Sequence, residues 1–454
     1  MRRSGTATIE AVLEARGIGG AQVFIALLCG LAVLLDGIST LIIGYVAPQI
    51  AQSLHLGHEE LGRAFGAGLF GLMIGGLSCS FLADYAGRRN LLILSTLIFG
   101  IFTLATAYAG SLQELIAWRF IGGLGLGGAM PTAITLTAEI SPPRSRAAMV
   151  MMMFCGFPLG GALAGVLAVA VLPVFGWQGV FVASGIMALV LVPILFALLP
   201  ESPVFLVNRR ADPAKIAKVV GRIAPEAAGL AIIPPQGDEK RGAPIAALFK
   251  EGRGLGTLLL WVVYFTSLLD IFFLASWLPT VLHSGSPTSM VAIVATAMME
   301  FGGLVGTIAL GRLLGRFDTY LSLGVCYAGC TIMIALIGVT PADSGLIFAV
   351  LFLVGLFLIG GQSGLSALAT TFYPTRCRAT GVGWGFGMGR IGSIVGPVVG
   401  AQLVISHWSL PSMFLLAAGV TAIGTLAVIL MYLARPRHIA AHDVEAAPLA
   451  GHGS

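Results

Sequence analysis

Twelve apolar runs, each close to the length needed to cross a bilayer, dominate the chain and decide its solvent before any motif is read. A spanning helix needs roughly 20 mostly apolar residues. Such runs occupy residues 24–46, 61–83, 91–108, 112–138, 147–171, 179–199, 255–279, 290–310, 320–339, 345–372, 379–405 and 411–433. Charged residues make up only 10% of the sequence and hydrophobic ones 57%, whereas a soluble surface carries roughly 25–35% charge. Lipid must therefore cover most of the surface, and an all-α membrane protein of twelve transmembrane helices is expected.

The one long polar stretch, 201–254, lies between the sixth and seventh runs and divides the spans six and six. The expected organisation is an N-terminal segment 1–23, a six-helix bundle 24–200, a central loop 201–254, a second six-helix bundle 255–433 and a tail 434–454. Within the loop, 212–223 has the pattern of a short helix and 232–242 the composition of a linker.

Orientation follows from Lys/Arg asymmetry. Of the 25 basic residues, all but three fall on one side: Arg63 faces the other, and Arg119 and Arg390 lie inside apolar runs. The crowded side is read as cytoplasmic, with both termini there. The net charge of +5 is then a membrane-orientation bias and not a nucleic-acid footprint. Residues 1–20 mix acids and bases, and the first run is long enough to span, so it reads as a retained helix and not a cleaved signal.

Chemistry-bearing motifs are sparse. The six cysteines (Cys29, Cys79, Cys155, Cys326, Cys330 and Cys377) lack disulfide or zinc spacing, apart from Cys326 and Cys330 one turn apart, and read as packing residues. Gly387, Gly389 and Gly392 match the dinucleotide-binding glycine pattern, but no strand precedes them and they lie in an apolar run. They read as helix-packing glycines. No metal cluster, catalytic triad or phosphate loop is seen, so neither an enzyme nor ATP-driven transport is expected.

The two halves echo one another. Pro143-Arg144-Ser145-Arg146-Ala147 after the fourth run recurs as Thr375-Arg376-Cys377-Arg378-Ala379 after the tenth, about half a chain length later. Leu82 to Arg89, ending the second run, has a weaker echo in Gly311 to Arg316, ending the eighth. Paired halves of this kind point to a transporter.

These residues carry a definite resemblance. Ala83-Asp84-Tyr85-Ala86-Gly87-Arg88-Arg89, Arg119-Phe120-Ile121-Gly122-Gly123-Leu124-Gly125 and Pro200-Glu201-Ser202-Pro203-Val204-Phe205-Leu206 resemble the signatures of major facilitator superfamily transporters. Ser80 stands where the first signature usually opens on glycine, and Tyr85 where it has arginine. Within that superfamily the chain is most similar to the aromatic acid:proton symporters. The resembling segments are Asp36-Gly37, Gly125-Leu126-Gly127-Gly128-Ala129-Met130-Pro131, Ser276-Trp277-Leu278-Pro279-Thr280, and Tyr373-Pro374-Thr375 with Arg378 to Trp384. The resemblance implies two pseudo-symmetric bundles, a bacterial inner-membrane location, a monomer, no cofactor, and the proton as coupling ion. The implied cargo is a small aromatic carboxylate such as a hydroxybenzoate.

A charge at the bilayer centre costs at least ~2.5–3.5 kcal/mol, so intramembrane charges are functional by default. Arg390, among Gly387, Gly389 and Gly392, whose missing side chains also leave room for a ligand, is the candidate carboxylate anchor, with a structural ion pair as the alternative. Arg119 is a second candidate, or holds Asp36 and nearby carbonyls; the resemblance ties it to proton coupling. Asp36, midway along the first run, is the candidate proton carrier. The family's usual Asp-Gly-x-Asp is here Asp36-Gly37-Ile38-Ser39, so the second carboxylate is missing. Asp270 and Glu300 are the acids that might replace it; the alternative for each is an ion pair with Arg390 or a protonated, hydrogen-bonded acid.

Asp84, Arg88, Glu139, Arg144, Arg146, Arg376 and Arg378, at helix ends, are candidates for a gating charge network. Trp384, Gln362 and Ser363 are candidates for contacting a substrate ring and its hydroxyl, with Tyr45, Phe154, Trp277, Phe301 and Phe357 as further aromatic surface. The function read from all this is proton-coupled import of a small aromatic carboxylate by alternating access. The alternatives are an exporter or carrier of other organic anions such as muconate, or a nontransporting membrane receptor for aromatic acids.

Overall fold

Each of the twelve apolar runs folds as helix over most of its length, the fifth divided at Cys155. A computed structural model of the chain describes residues 6–225, 231–233, 245–282, 290–313, 317–341, 344–374 and 377–434, without the side chains of 6–8, 80, 81, 84, 231–233, 378 and 379. In chain order the elements are β1 (Thr6–Thr8), α1 (Ile9–Arg16), α2 (Gly20–Leu54), α3 (His58–Ala86), α4 (Arg88–Thr106), α5 (Leu112–Ile140), α6 (Arg146–Phe154) and α7 (Gly156–Leu198). There follow α8 (Pro203–Asn208), α9 (Pro213–Ile223), β2 (Ala231–Ile233), α10 (Gly254–Val281), α11 (Met290–Leu313), α12 (Thr319–Ile337), α13 (Leu346–Phe372), α14 (Arg378–Ile405) and α15 (Leu410–Ala434).

Among the described residues, 11 helical stretches are long and apolar enough to cross a membrane. The longest, Pro143–Leu198, contains both the fifth and the sixth run. They meet at Gly176, whose φ of 65 and ψ of −172 interrupt the helix. Glycine adopts that backbone readily because it has no Cβ. The difference between twelve runs and 11 stretches is therefore a matter of continuity across one residue.

Smaller expectations resolve similarly. The loop helix forms as α9, with Asp212 as its N-cap accepting from the Ala214 N–H at 2.9 Å, which satisfies one of the first-turn donors. Most of 232–242 lies outside the described residues. Its first part is β2, which pairs in parallel with β1, Thr6 opposite Ala231.

The helices form two compact units, divided between Glu239 and Lys240 except for a short segment ending at Ile293 that groups with the first. Each unit is built around the same two glycine-lined contacts. In the first, a Cβ on Gly71 or Gly75 of α3 would overlap the carbonyl oxygens of Phe120 or Leu124 on α5, and one on Gly37 of α2 would overlap that of Phe157 on α7. In the second, Gly302 and Gly306 of α11 meet the carbonyls of Phe352 and Leu356 on α13, and Gly392 and Gly396 of α14 those of Phe265 and Leu269 on α10. The equivalent pairs of spans, second with fourth and first with fifth, thus touch backbone to backbone in both units. Small residues permit this approach in lipid, where packing replaces the hydrophobic drive.

A consequence is testable. Gly306→Val is expected to lower the melting temperature and the yield of monodisperse protein in detergent, since overpacking costs about 1–3 kcal/mol. Gly419→Ala, where nothing stands within 4 Å of an added Cβ, is expected to leave both unchanged.

Candidate functional site

In the first unit the charged residues converge on the middle of α2. Asp36 is buried, and the Thr40 hydroxyl one turn on donates to its Oδ1 at 3.0 Å. Arg119, from α5, is also buried and donates from Nη1 to the Ser39 carbonyl at 3.1 Å. Its guanidinium lies 6.0 Å from the centre of the Phe181 ring on α7, and Gly68 of α3 leaves it room, an added Cβ there standing 3.5 Å from Nε. Nε itself is buried and meets no hydrogen-bond partner. A buried guanidinium with a donor to spare is suited to an anion, which it can hold by charge-assisted hydrogen bonds.

Ser39, where a second acid was expected from the resemblance, is buried and faces Ser184 of α7, hydroxyl to hydroxyl at 3.3 Å. The arginine therefore reaches a main-chain carbonyl beside that position and not the carboxylate of Asp36.

In the second unit the candidates separate. Gln362 of α13 is 7% exposed, and neither its Oε1 nor its Nε2 meets a partner. Ser363 beside it is engaged, 3.0 Å from the Thr307 hydroxyl on α11. Trp384 of α14 stacks on Trp261 of α10 at 5.7 Å between ring centres and remains partly exposed. Trp277 is structural: it is buried, and its indole N–H donates to the Pro397 carbonyl at 2.8 Å, tying α10 to α14. Tyr45 is likewise occupied, donating to the Gly161 carbonyl at 3.0 Å.

Arg390 sits half-buried on α14. Of the glycines around it, Gly389 and Gly392 face α10, against Leu268 and the Phe265 carbonyl, and only Gly387 opens onto free space. Helix packing accounts for two of the three, and the room for a ligand beside Arg390 is smaller than the glycine pattern suggested. Asp270 and Glu300 are both buried. The Thr421 hydroxyl of α15 donates to Asp270 Oδ2 at 2.7 Å, while Asp270 Oδ1 and Glu300 Oε1 meet no partner. Neither forms an ion pair with Arg390.

The helix-end charges assemble differently from the sequence reading. Glu139 pairs with Arg88 at 3.2 Å and accepts a short hydrogen bond from Ser202. Arg144 and Arg146 turn instead to the N-terminal helix, pairing with Glu14 at 2.5 Å and Glu10 at 3.6 Å. The Asp84 and Arg378 side chains and the whole of Arg376 lie outside the described residues. Two groups were missed as parts of this end. Glu201 accepts from the Arg89 N–H at 3.0 Å, and the Leu199 carbonyl accepts from Arg89 Nε at 2.7 Å. Gly87 makes the approach possible: its φ is 92, and a Cβ would collide with the Glu201 carboxylate. The signature after the second run and the one after the sixth are thus two sides of a single contact. No group of three or more His, Cys, Asp or Glu among the described residues is placed to hold a metal ion.

Comparison with known proteins bears on the whole chain. The model of the Major Facilitator Superfamily matches residues 29–390 and 260–450. The 4-hydroxybenzoate transporter PcaK of Pseudomonas aeruginosa is 36% identical over 93% of this chain and 95% of its own length. The gallate transporter of Pseudomonas putida is 36% identical over 89% of this chain and 90% of its own. Among solved structures, the xylose transporter XylE from E. coli in its inward open conformation superposes with a TM-score of 0.71 at 19% identity, covering 91% of this chain and 96% of that one. That last likeness concerns the fold alone.

Proposed function

The chain belongs to the Major Facilitator Superfamily, and from that premise we propose that this multi-pass membrane protein imports a small aromatic carboxylate together with protons. The observation that carries the substrate class is its similarity, over nearly its whole length, to transporters named for 4-hydroxybenzoate and gallate. The chemistry of each unit taken by itself supports it: in the first, the unpartnered Nε of buried Arg119 suits a carboxylate; in the second, Arg390 is a cation and Gln362 offers a buried amide to a ring hydroxyl.

Asp36 is the proton carrier, with Asp270 and Glu300 as the acids available for the role vacated at Ser39. A buried carboxyl that is alternately wetted and dried releases and takes up a proton as its surroundings change. Arg88, Glu139, Arg144 and Arg146, with Asp84, Arg376 and Arg378, form the gate at the end that faces the cytoplasm of a bacterial inner membrane.

The substrate class is tested by competition. Proteoliposomes loaded with unlabelled 4-hydroxybenzoate should exchange it for labelled 4-hydroxybenzoate, and gallate or phenylpropanoates should compete. Exchange that muconate blocks and aromatic acids do not would contradict the assignment.

A further inference from the structure

The second unit holds a set of buried polar groups that none of the contacts above explains. On α10, Tyr264, Ser267 and Asp270 follow one another at three-residue intervals, on one side of the helix. All three are buried, and the Tyr264 hydroxyl, Ser267 Oγ and Asp270 Oδ1 meet no hydrogen-bond partner. Facing them on α12 are Tyr327, whose hydroxyl lies beside Ser267 and is also unpartnered, and Cys330, beside Asp270. From α13, Gly361 lets the Tyr327 ring approach, an added Cβ standing 3.5 Å from Cζ, and Gln362 next to it brings two more unpartnered atoms. From α15 comes Thr421, the one group bonded to the carboxylate.

The electrostatics of this cluster are one-sided. The titratable group beside Asp270 is Cys330 on α12; Cys326 and Tyr327 of the same helix adjoin Cys330, and Tyr264 of α10 adjoins Tyr327. The α13 sequence contains no titratable residue, α15 contributes only Tyr432 at its far end, and Arg390 of α14 makes no ion pair with Asp270. Among the described residues no cation pairs with Asp270, whose carboxyl meets the Thr421 hydroxyl alone, and an uncompensated buried charge is expensive. The neighbours are hydroxyls, a thiol and an amide, and a hydroxyl donates to a carboxylate or accepts from a carboxylic acid by rotating. Such a shell accommodates both protonation states of one acid while favouring the neutral one when closed. Glu300 has no bonded hydroxyl of this kind among the described residues.

We propose that Asp270 is a second proton-binding site, contained within the C-terminal unit, in which Thr421 fixes the carboxyl and Ser267 and Tyr327 reorient to serve its charged and neutral forms. This rests on the proton-coupled reading above. The step is a simple protonation: a proton bonds to Oδ1 of the carboxylate on loading, and the same O–H bond breaks on release, with no other bond changed. Two protons then accompany each substrate, one on Asp36 and one on Asp270.

The test is the number of protons carried per labelled 4-hydroxybenzoate, obtained in proteoliposomes from the substrate accumulation ratio reached at equilibrium across a known pH gradient with the membrane potential clamped at zero. Asp270→Asn, isosteric with the protonated acid, is expected to fold at least as stably and to halve that number while still accumulating substrate. Thr421→Val removes a donor that favours the charged form, so proton release becomes harder and the pH profile of uptake should shift upward. An unchanged proton number in Asp270→Asn, or an unshifted profile in Thr421→Val, would overturn the proposal. Substrate uptake with no proton movement in the unaltered protein would overturn the proton-coupled reading as well, which separates the two failures.

Discussion

Asp36→Asn is expected to abolish accumulation driven by a pH gradient while leaving exchange between substrate-loaded vesicles in place. Asp36 is buried on α2, and its carboxyl is bonded by the Thr40 hydroxyl. Asparagine keeps that contact and the volume but carries no removable proton. A carrier whose empty form must release the Asp36 proton to return cannot complete the net cycle, whatever Asp270 carries, so it exchanges substrate both ways without drawing on the gradient. Loss of exchange as well as accumulation would show that Asp36 holds the structure or the substrate and not the coupling proton. Labelled uptake and counterflow, measured on the same vesicles, separate these results.

Arg119→Lys is expected to reduce transport by roughly 10–100-fold with little change in the amount of folded protein. Hydrogen bonds to charged groups contribute about 1.5–3 kcal/mol each, and lysine cannot reproduce the arginine fork. The guanidinium reaches the Ser39 carbonyl with Nη1, lies near the Phe181 ring and keeps Nε unpartnered. A lysine ammonium can serve the carbonyl or an anion, but not both in that geometry. Initial uptake rates normalised to membrane abundance would check this, and wild-type rates in Arg119→Lys would remove the arginine from the binding machinery.

The features legible in the sequence share a physical reason: they depend on local composition. Span length needs only a continuous apolar run, which is why each run became a helix. The α9 helix announced itself through Asp212 and Pro213 at its start, since capping is a local interaction. The glycine seams were readable as packing surfaces because only absent side chains allow such contacts, although their recurrence in equivalent pairs needed coordinates.

What was not legible depends on pairing across distance in the chain. Nothing local in Glu10 or Glu14 says that they answer Arg146 and Arg144, so the division of these charges into separate pairs was not readable from the helix ends alone. Thr421 gave no sign that it bonds Asp270 from another helix. Ser39 could be recognised as the loss of a carboxylate, but not as half of a hydroxyl pair with Ser184. Likewise, Gly389 and Gly392 looked like space beside Arg390 until α10 was seen to fill it.

A carrier that moves an aromatic carboxylate uphill by moving protons downhill stops accumulating its substrate when the proton gradient is dissipated. The most direct measurement is uptake of labelled 4-hydroxybenzoate into proteoliposomes with an acidic exterior, with and without a protonophore. Accumulation above the external concentration that collapses when the protonophore is added is the result predicted. Accumulation insensitive to the protonophore, or binding without accumulation, would contradict it.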